Sequence, residues 1–202
     1  IARPTAHRLA VALEFHRLVA RDLTGRFVLG PRSAELGAAA GEDRLLAAAA
    51  PALAALRDAT GESAQLYRRQ GDLRICVAVA ERLSGLRDSV PVGAALTMHA
   101  GSAAQILLAW EESEKIHRGL THARFTAAQL SADRRRGWAQ SVGEREAGVA
   151  SVSAPVRAPN GKVIAAVSIS GPIERLGRQP GRIHAAAVVA TAARLTEHLA
   201  RE

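Results

Sequence analysis

The sequence predicts an α+β protein in three parts: a basic helix with a two-stranded ribbon, a linker helix, and an antiparallel sheet flanked by helices. Three observations carry this. Apolar residues recur at helical spacing over residues 4–16, 31–60 and 179–200. Runs rich in β-formers, such as Arg74 to Glu81 and residues 162–171, are bounded by turn residues. Positive charge crowds the beginning of the chain, which sets that part chemically apart from the rest.

Pro4 falls in the first turn of the first helix, where a missing N–H is harmless. Leu9, Val11 or Ala12, Leu13 and Leu18 supply the apolar stripe. Leu18-Val19-Ala20-Arg21-Asp22 and Arg26-Phe27-Val28-Leu29-Gly30 then form a short hairpin that turns at Thr24-Gly25. A helix followed by a ribbon, both basic, is the back half of a winged helix-turn-helix, over residues 1–33. About thirty residues cannot build a stable core alone, so further helices are expected upstream. Residues 34–60 read as a linker helix carried by Leu45, Leu46, Leu53 and Leu56, with Pro51 an internal start or break and Gly61 the stop.

Residues 61–202 read as one α+β domain. Ala64 to Arg69 and Arg74 to Glu81 form a hairpin about Gln70-Gly71-Asp72. Ser84 to Gly93 is a loop with a short strand near Val90. Gly101-Ser102 opens a helix that runs to Trp110 and packs through Ala103, Ala104, Leu107 and Leu108. A second helix covers 126–137, and strands follow at 138–142, 149–157 and 162–171, the last two joined at Pro159-Asn160-Gly161. The closing helix presents Ile183, Ala187, Val188, Ala192, Leu195 and Leu199 on one face.

Composition narrows the function classes. With 202 residues, 48% apolar and 23% charged, the chain can bury a core and is not disordered. Its 44 Ala, 25 Arg and 2 Lys point to base-composition bias before they point to function. The single Cys76 excludes a disulfide framework and any multi-cysteine metal site. No apolar run reaches the roughly 18 residues that cross a bilayer, and no secretory signal is visible. A cytoplasmic protein without membrane contact is therefore expected. Of the net charge of +8, residues 1–33 hold +4, from six arginines against Glu14 and Asp22. That asymmetry suggests a polyanion partner, against the alternative of a generally basic chain.

Arg3, Thr5, His7 and Arg8 lie in the first two turns of the first helix, the part a recognition helix offers to base edges. Arg21 and Arg26 on the ribbon are placed for phosphate. The alternative is a solvated basic face. Enzyme chemistry is not evident: Cys76 sits between Ile75 and Val77 in a strand, the His are scattered, and no nucleophile elbow, P-loop or dinucleotide motif occurs. His99 reads as structural, and Glu111, Glu112, Glu114, Glu144, Arg145 and Glu146 as solvated polar surface. Ser102 opens a helix, where free N–H groups suit an anion. Ser151 with Ser153, and Ser168 with Ser170, alternate along two strands, so each pair shares a face. Facing inward they would line a pocket for a small carboxylate; otherwise they are ordinary sheet serines.

In order along the chain, these segments resemble the IclR family of bacterial transcription regulators. Arg3-Pro4-Thr5-Ala6-His7-Arg8-Leu9 and Phe27-Val28-Leu29-Gly30-Pro31-Arg32 look like its recognition helix and wing. Gly85 to Gly93 with Met98-His99-Ala100-Gly101-Ser102-Ala103-Ala104 look like the start of its effector domain. Arg136-Gly137-Trp138-Ala139, the stretch Glu144 to Val156, and Val167-Ser168-Ile169-Ser170-Gly171-Pro172 complete the resemblance. It implies a GAF-like effector domain and a homodimer or homotetramer. It also implies operator double-stranded DNA as partner and a repressor or activator whose operator binding is modulated by a small carboxylate or aromatic acid, with no other cofactor and no catalysis. It implies effector contacts at Leu96, Ser102, Ala103, Ser141, Val149, Ser151, Ser168 and Ser170. Some members carry an acidic residue in place of Ser141 and a Cys in place of Ser151, so a pocket that is less polar or differently shaped is expected here. The alternative is a GAF-like sensing module that acts through protein contacts.

Overall fold

The computed structural model describes residues 1–22, 24–39 and 44–201. Two compact units result, Ile1–Asp43 and Arg44–Glu202. The first opens with α1 (Arg3–Phe15) and continues into a ribbon of β1 (Val19–Arg21) and β2 (Phe27–Leu29), paired antiparallel with Val19 opposite Leu29 and Arg21 opposite Phe27. Its turn is built by Asp22, whose Oδ1 accepts from the Thr24 N–H at 2.8 Å, the Thr24 hydroxyl at 2.7 Å and the Arg26 N–H at 2.9 Å. The Thr24 hydroxyl, then the Arg26 N–H, hold the Asp22 carboxyl below the usual range. Helix α2 (Pro31–Ala39) follows.

The second unit begins with α3 (Arg44–Thr60), which runs unbroken through Pro51. The expected break there does not occur. Proline in a helix interior costs about 3 kcal/mol. Burial of Leu45, Ala49, Leu53 and Leu56 along one face offsets it, while Pro51 itself faces solvent. Residues 40–43 of the expected linker helix lie outside the described residues.

Six strands form one antiparallel sheet: β3 (Ser63–Gln70), β4 (Leu73–Ala80), β5 (Ala95–Thr97), β6 (Ala139–Val142), β7 (Val149–Arg157) and β8 (Val163–Pro172). Their spatial order is β5-β4-β3-β8-β7-β6. No strand forms near Val90. The edge strand is 95–97 instead, and Val90 is a buried apolar side chain within a loop. Helices α4 (Ser102–Ala109), α5 (Ser113–Leu120), α6 (Ala127–Arg136), α7 (Ile173–Leu176) and α8 (Gly181–Ala200) complete the unit. The sequence reading missed α5, which buries no side chain fully and half-buries only Ile116 and Leu120 against the core. Glu111–Lys115 and Glu114–Arg118 pairs support it from the surface. Helix α6 is fixed at its start by the Thr126–Gln129 capping box and at its end by left-handed Gly137.

The sheet separates two cores. On one side, α3 and α8 pack on Leu66, Ala150, Val152, Ala154, Val167 and Ile169. On the other lie Tyr67, Cys76, Ile106, Leu108, Phe125 and Leu130. The α8 face is Ala185, Val188, Ala192 and Leu195, with Ala187 and Leu199 at its margins. Ile183 is 71% exposed and does not belong to it, because it lies about half a turn round the helix from both buried Gly181 and buried Ala185. Among the described residues no helix is long and apolar enough to cross a membrane.

Candidate functional site

Strand alternation decides where the site forms. In β7 and β8 the apolar residues Ala150, Val152, Ala154, Val167 and Ile169 turn toward α3 and α8, so the intervening serines turn toward α4. Register then stacks them: Ser151 lies opposite Ser170, Ser153 opposite Ser168, and β6 places Ser141 opposite Ser151. Ser102, the first residue of α4, reaches down onto this row.

The hydroxyls form one hydrogen-bonded chain. Ser153 donates to Ser168 at 2.9 Å, and Ser168 donates to the Ile169 carbonyl at 3.3 Å. A hydroxyl has one proton. Ser102 must therefore donate to Ser153 (2.7 Å), Ser151 to Ser102 (2.7 Å) and Ser141 to Ser151 (2.9 Å). The fifth strand serine, Ser170, exchanges hydrogen bonds with the buried Gln65 amide at 3.0 and 3.3 Å.

The charged wall is made by residues that the sequence reading passed over. Arg74, on β4 and only 3% exposed, donates to the Thr97 carbonyl and lies 5.6 Å from the Tyr67 ring. Its Nε has no partner, and it makes no ion pair among the described residues. Burial, foremost, pulls its pKa down to about 10, which leaves it a cation at neutral pH. Burial pushes the neighbouring Tyr67 phenol well above its ordinary value. Arg145 donates to Asp88 Oδ1 at 2.6 Å. Glu144 accepts from the Gly101 N–H at 2.8 Å and from Gln105 Nε2 at 2.9 Å, so its carboxylate caps α4 where the helix dipole favours negative charge. Burial nevertheless raises the Glu144 pKa. Gly101 holds φ +96, and a Cβ there would meet Arg74 Nη2 at 3.2 Å, so both conformation and space call for glycine.

Tyr67, Arg74, Asp88, Gly101 and Arg145 line one cleft with Ser102, Ala103, Ser141, Val149, Ser151, Ser168 and Ser170. Its free space is about 20 Å³, room for about one water. Seven of the eight effector positions expected from sequence therefore meet; Leu96, on β5, instead packs at the edge of the second core. Arg145 and Glu144, taken from sequence as solvated, belong to the site because the loop between β6 and β7 folds back over α4. One signal for Arg74 was available: it shares strand parity with buried Cys76. Cys76 is fully buried and its thiol is pushed up to about 11 by burial, the profile of a core residue. The His99 and His122 rings pack 5.7 Å apart. Among the described residues no cluster of His, Cys, Asp and Glu is placed to hold a metal.

In the first unit Arg3, His7 and Arg8 are exposed and Thr5 is half-buried. Arg3 and His7, four residues apart, share one face of α1; Thr5 and Arg8, three apart, share another. Arg26 stands exposed on the ribbon, whereas Arg21 is engaged by Glu14 at 3.2 Å and lies over the Phe27 ring at 4.3 Å.

Residues 38–197 match the family model of the bacterial transcriptional regulator IclR C-terminal domain. The chain is 30% identical to the glycerol operon regulatory protein of Streptomyces griseus over 87% of its own length and 74% of that protein. It is 28% identical to the HTH-type transcriptional regulator RhmR of Escherichia coli, over 85% of this chain and 71% of that one. The solved structure of a candidate IclR transcriptional regulator from Silicibacter sp. TM1040 superimposes with a TM-score of 0.81 at 26% identity, covering 100% of this chain and 85% of that one.

Proposed function

The chain belongs to the IclR family of bacterial transcriptional regulators, which are not enzymes, and from that premise we propose that it is an effector-controlled operator-binding protein. The first unit holds operator DNA, and the cleft of the second holds a small organic acid. Binding of the acid shifts the population of conformations and with it the operator affinity.

The observation that carries the effector reading is Arg74. A buried guanidinium without a carboxylate partner is costly. A carboxylate ligand supplies the missing charge and an acceptor for its unpartnered Nε. The serine hydroxyls, each able to donate or accept once their chain is opened, and the first N–H groups of α4 add polar contacts without imposing charge. Since the cleft has room for about one water, an acid of several atoms enters only by parting the hydroxyl chain. That coupling links occupancy to conformation. Calorimetric titration with a panel of organic acids tests it. At least one acid binds, and Arg74→Gln abolishes the heat while the variant still melts cooperatively. Unchanged binding in that variant would refute the assignment.

For DNA, Arg3, Thr5, His7 and Arg8 contact base edges or phosphate and Arg26 anchors the backbone; Arg21 contributes only after leaving Glu14. Two-fold operators suit a homodimer or homotetramer, acting in the cytoplasm where the DNA is. On a duplex selected from a random pool by the protein itself, removing one phosphate contact lowers the slope of log K against log salt by about 0.9.

A further inference from the structure

Two guanidiniums, not one, line the cleft. Arg74 has no carboxylate partner, whereas Arg145 has two supplied by the chain itself: Asp88, 2.6 Å away and only 8% exposed, and the exposed Glu146. Asp88 sits in the loop between β4 and β5, a stretch without helix or strand. At its end the loop is tied to β4 by backbone hydrogen bonds, Gly93 N–H to the Cys76 carbonyl at 2.8 Å and Cys76 N–H to the Ala94 carbonyl at 3.0 Å. Its 81–89 stretch is held by side-chain contacts, among them Arg175 Nη2 donating to the Leu86 carbonyl at 2.7 Å and Arg87 to Glu81 at 3.1 Å. The two arginines are close enough that, after burial, the charge of Arg145 is among the influences lowering the pKa of Arg74. Glu144, the other carboxylate beside Arg74, is spent on the Gly101 N–H and Gln105, so of the two cations that line the cleft only Arg74 lacks a carboxylate in hydrogen-bond reach.

We propose that the cleft is selective for dicarboxylates, with one ligand carboxylate on Arg74 and the other on Arg145, and that Asp88 is an internal competitor which the second carboxylate displaces. This rests on the organic-acid reading above. A monocarboxylate satisfies Arg74 and leaves the Asp88–Arg145 pair intact. A dicarboxylate satisfies both guanidiniums and frees Asp88, so it also loosens the 81–89 stretch of the loop. Each planar guanidinium matches a carboxylate in bidentate geometry. Arg145 thus sets the preference between one and two charges, and Asp88 sets how tightly the favoured class binds.

The test is calorimetric titration of the full chain with aliphatic dicarboxylates from malonate to adipate, each against the monocarboxylate of equal length. The best dicarboxylate is expected to bind about tenfold or more tightly than its partner, the value of one charge-assisted contact. Asp88→Asn tightens dicarboxylates severalfold and leaves monocarboxylates unchanged. The double variant Asp88→Asn, Arg145→Gln strands no buried charge, so it is expected to fold, with melting as the check, and it binds both classes with the same affinity. Equal affinity for the two classes in the parent, or a preference that survives in the double variant, overturns the dicarboxylate claim while the organic-acid reading stands. Absence of binding by any acid, or binding that Arg74→Gln leaves intact, defeats that reading and this proposal together.

Discussion

Among the described residues of the first unit only Gly30 is buried, and α1 buries no side chain. In the second unit a six-stranded sheet divides two buried cores, and even the polar residues Ser102, Ser153, Ser168, Gln65 and Arg74 lie beneath the surface. One unit therefore carries its candidate chemistry outward as charge, the other inward as hydrogen bonds. Outward chemistry depends on local helix and turn signals and tolerates substitution. Inward chemistry depends on register across strands far apart in sequence, so it is tied to stability.

The strongest way to break this comparison is to separate the units. Residues 1–43 alone are expected to give a random-coil circular dichroism spectrum, since a segment of about 40 residues with almost nothing buried rarely folds. Residues 44–202 should melt cooperatively. A folded isolated first unit would show that its side chains do more for stability than their exposure suggests. Single truncations sharpen the contrast. Leu53→Ala empties a fully buried position on α3 and is expected to cost about 2–5 kcal/mol in urea denaturation. Leu9→Ala on half-exposed α1 should change stability by less than about 0.5 kcal/mol.

Charge buried in the second unit gives it a pH dependence of its own. Asp133 is buried; Arg136 Nη2 reaches its Oδ1 at 2.6 Å, and its Oδ2 is unpartnered. Burial raises its pKa from 3.8 to about 6. Between those values the native state binds more protons than the unfolded chain. The stability contribution is thus complete below about pH 4 and lost as pH rises through about 6, by at most ~3 kcal/mol. Asp133→Asn should flatten that part of the profile; an unchanged slope would assign it elsewhere. Ser102→Ala should cost about 1 kcal/mol, because it removes the acceptor of Ser151 and the donor to Ser153. Arg8→Ala should leave the melting temperature unchanged and weaken operator binding.

The legibility of the sequence follows the same divide. Helix α1, the ribbon, α4, the β7–β8 hairpin and α8 are readable because periodicity and turn residues are local signals. Helix α5 is not, since Ser113–Leu120 buries no side chain fully, only half-burying Ile116 and Leu120 against the second core, and the rest of its support is surface charge. Pro51 misleads because tertiary packing of α3 overrides a local breaker. The serine row is visible as alternation, but its direction is fixed only when α3 and α8 claim the apolar side of the sheet. Arg74 and Arg145 look like surface charge in a chain with 25 arginines. Only the pairing of β4 with β3, and the return of the 143–148 loop toward Gly101, bring them to the cleft.

The most direct test of the account is the affinity of the selected operator duplex for the parent and for Arg74→Gln, measured across a titration of the acid that binds most tightly. The account predicts that the acid shifts operator affinity in the parent and has no effect in the variant, whose affinity without acid stays near the parent's. Operator affinity that stays constant in the parent while calorimetry shows the cleft saturated would contradict it.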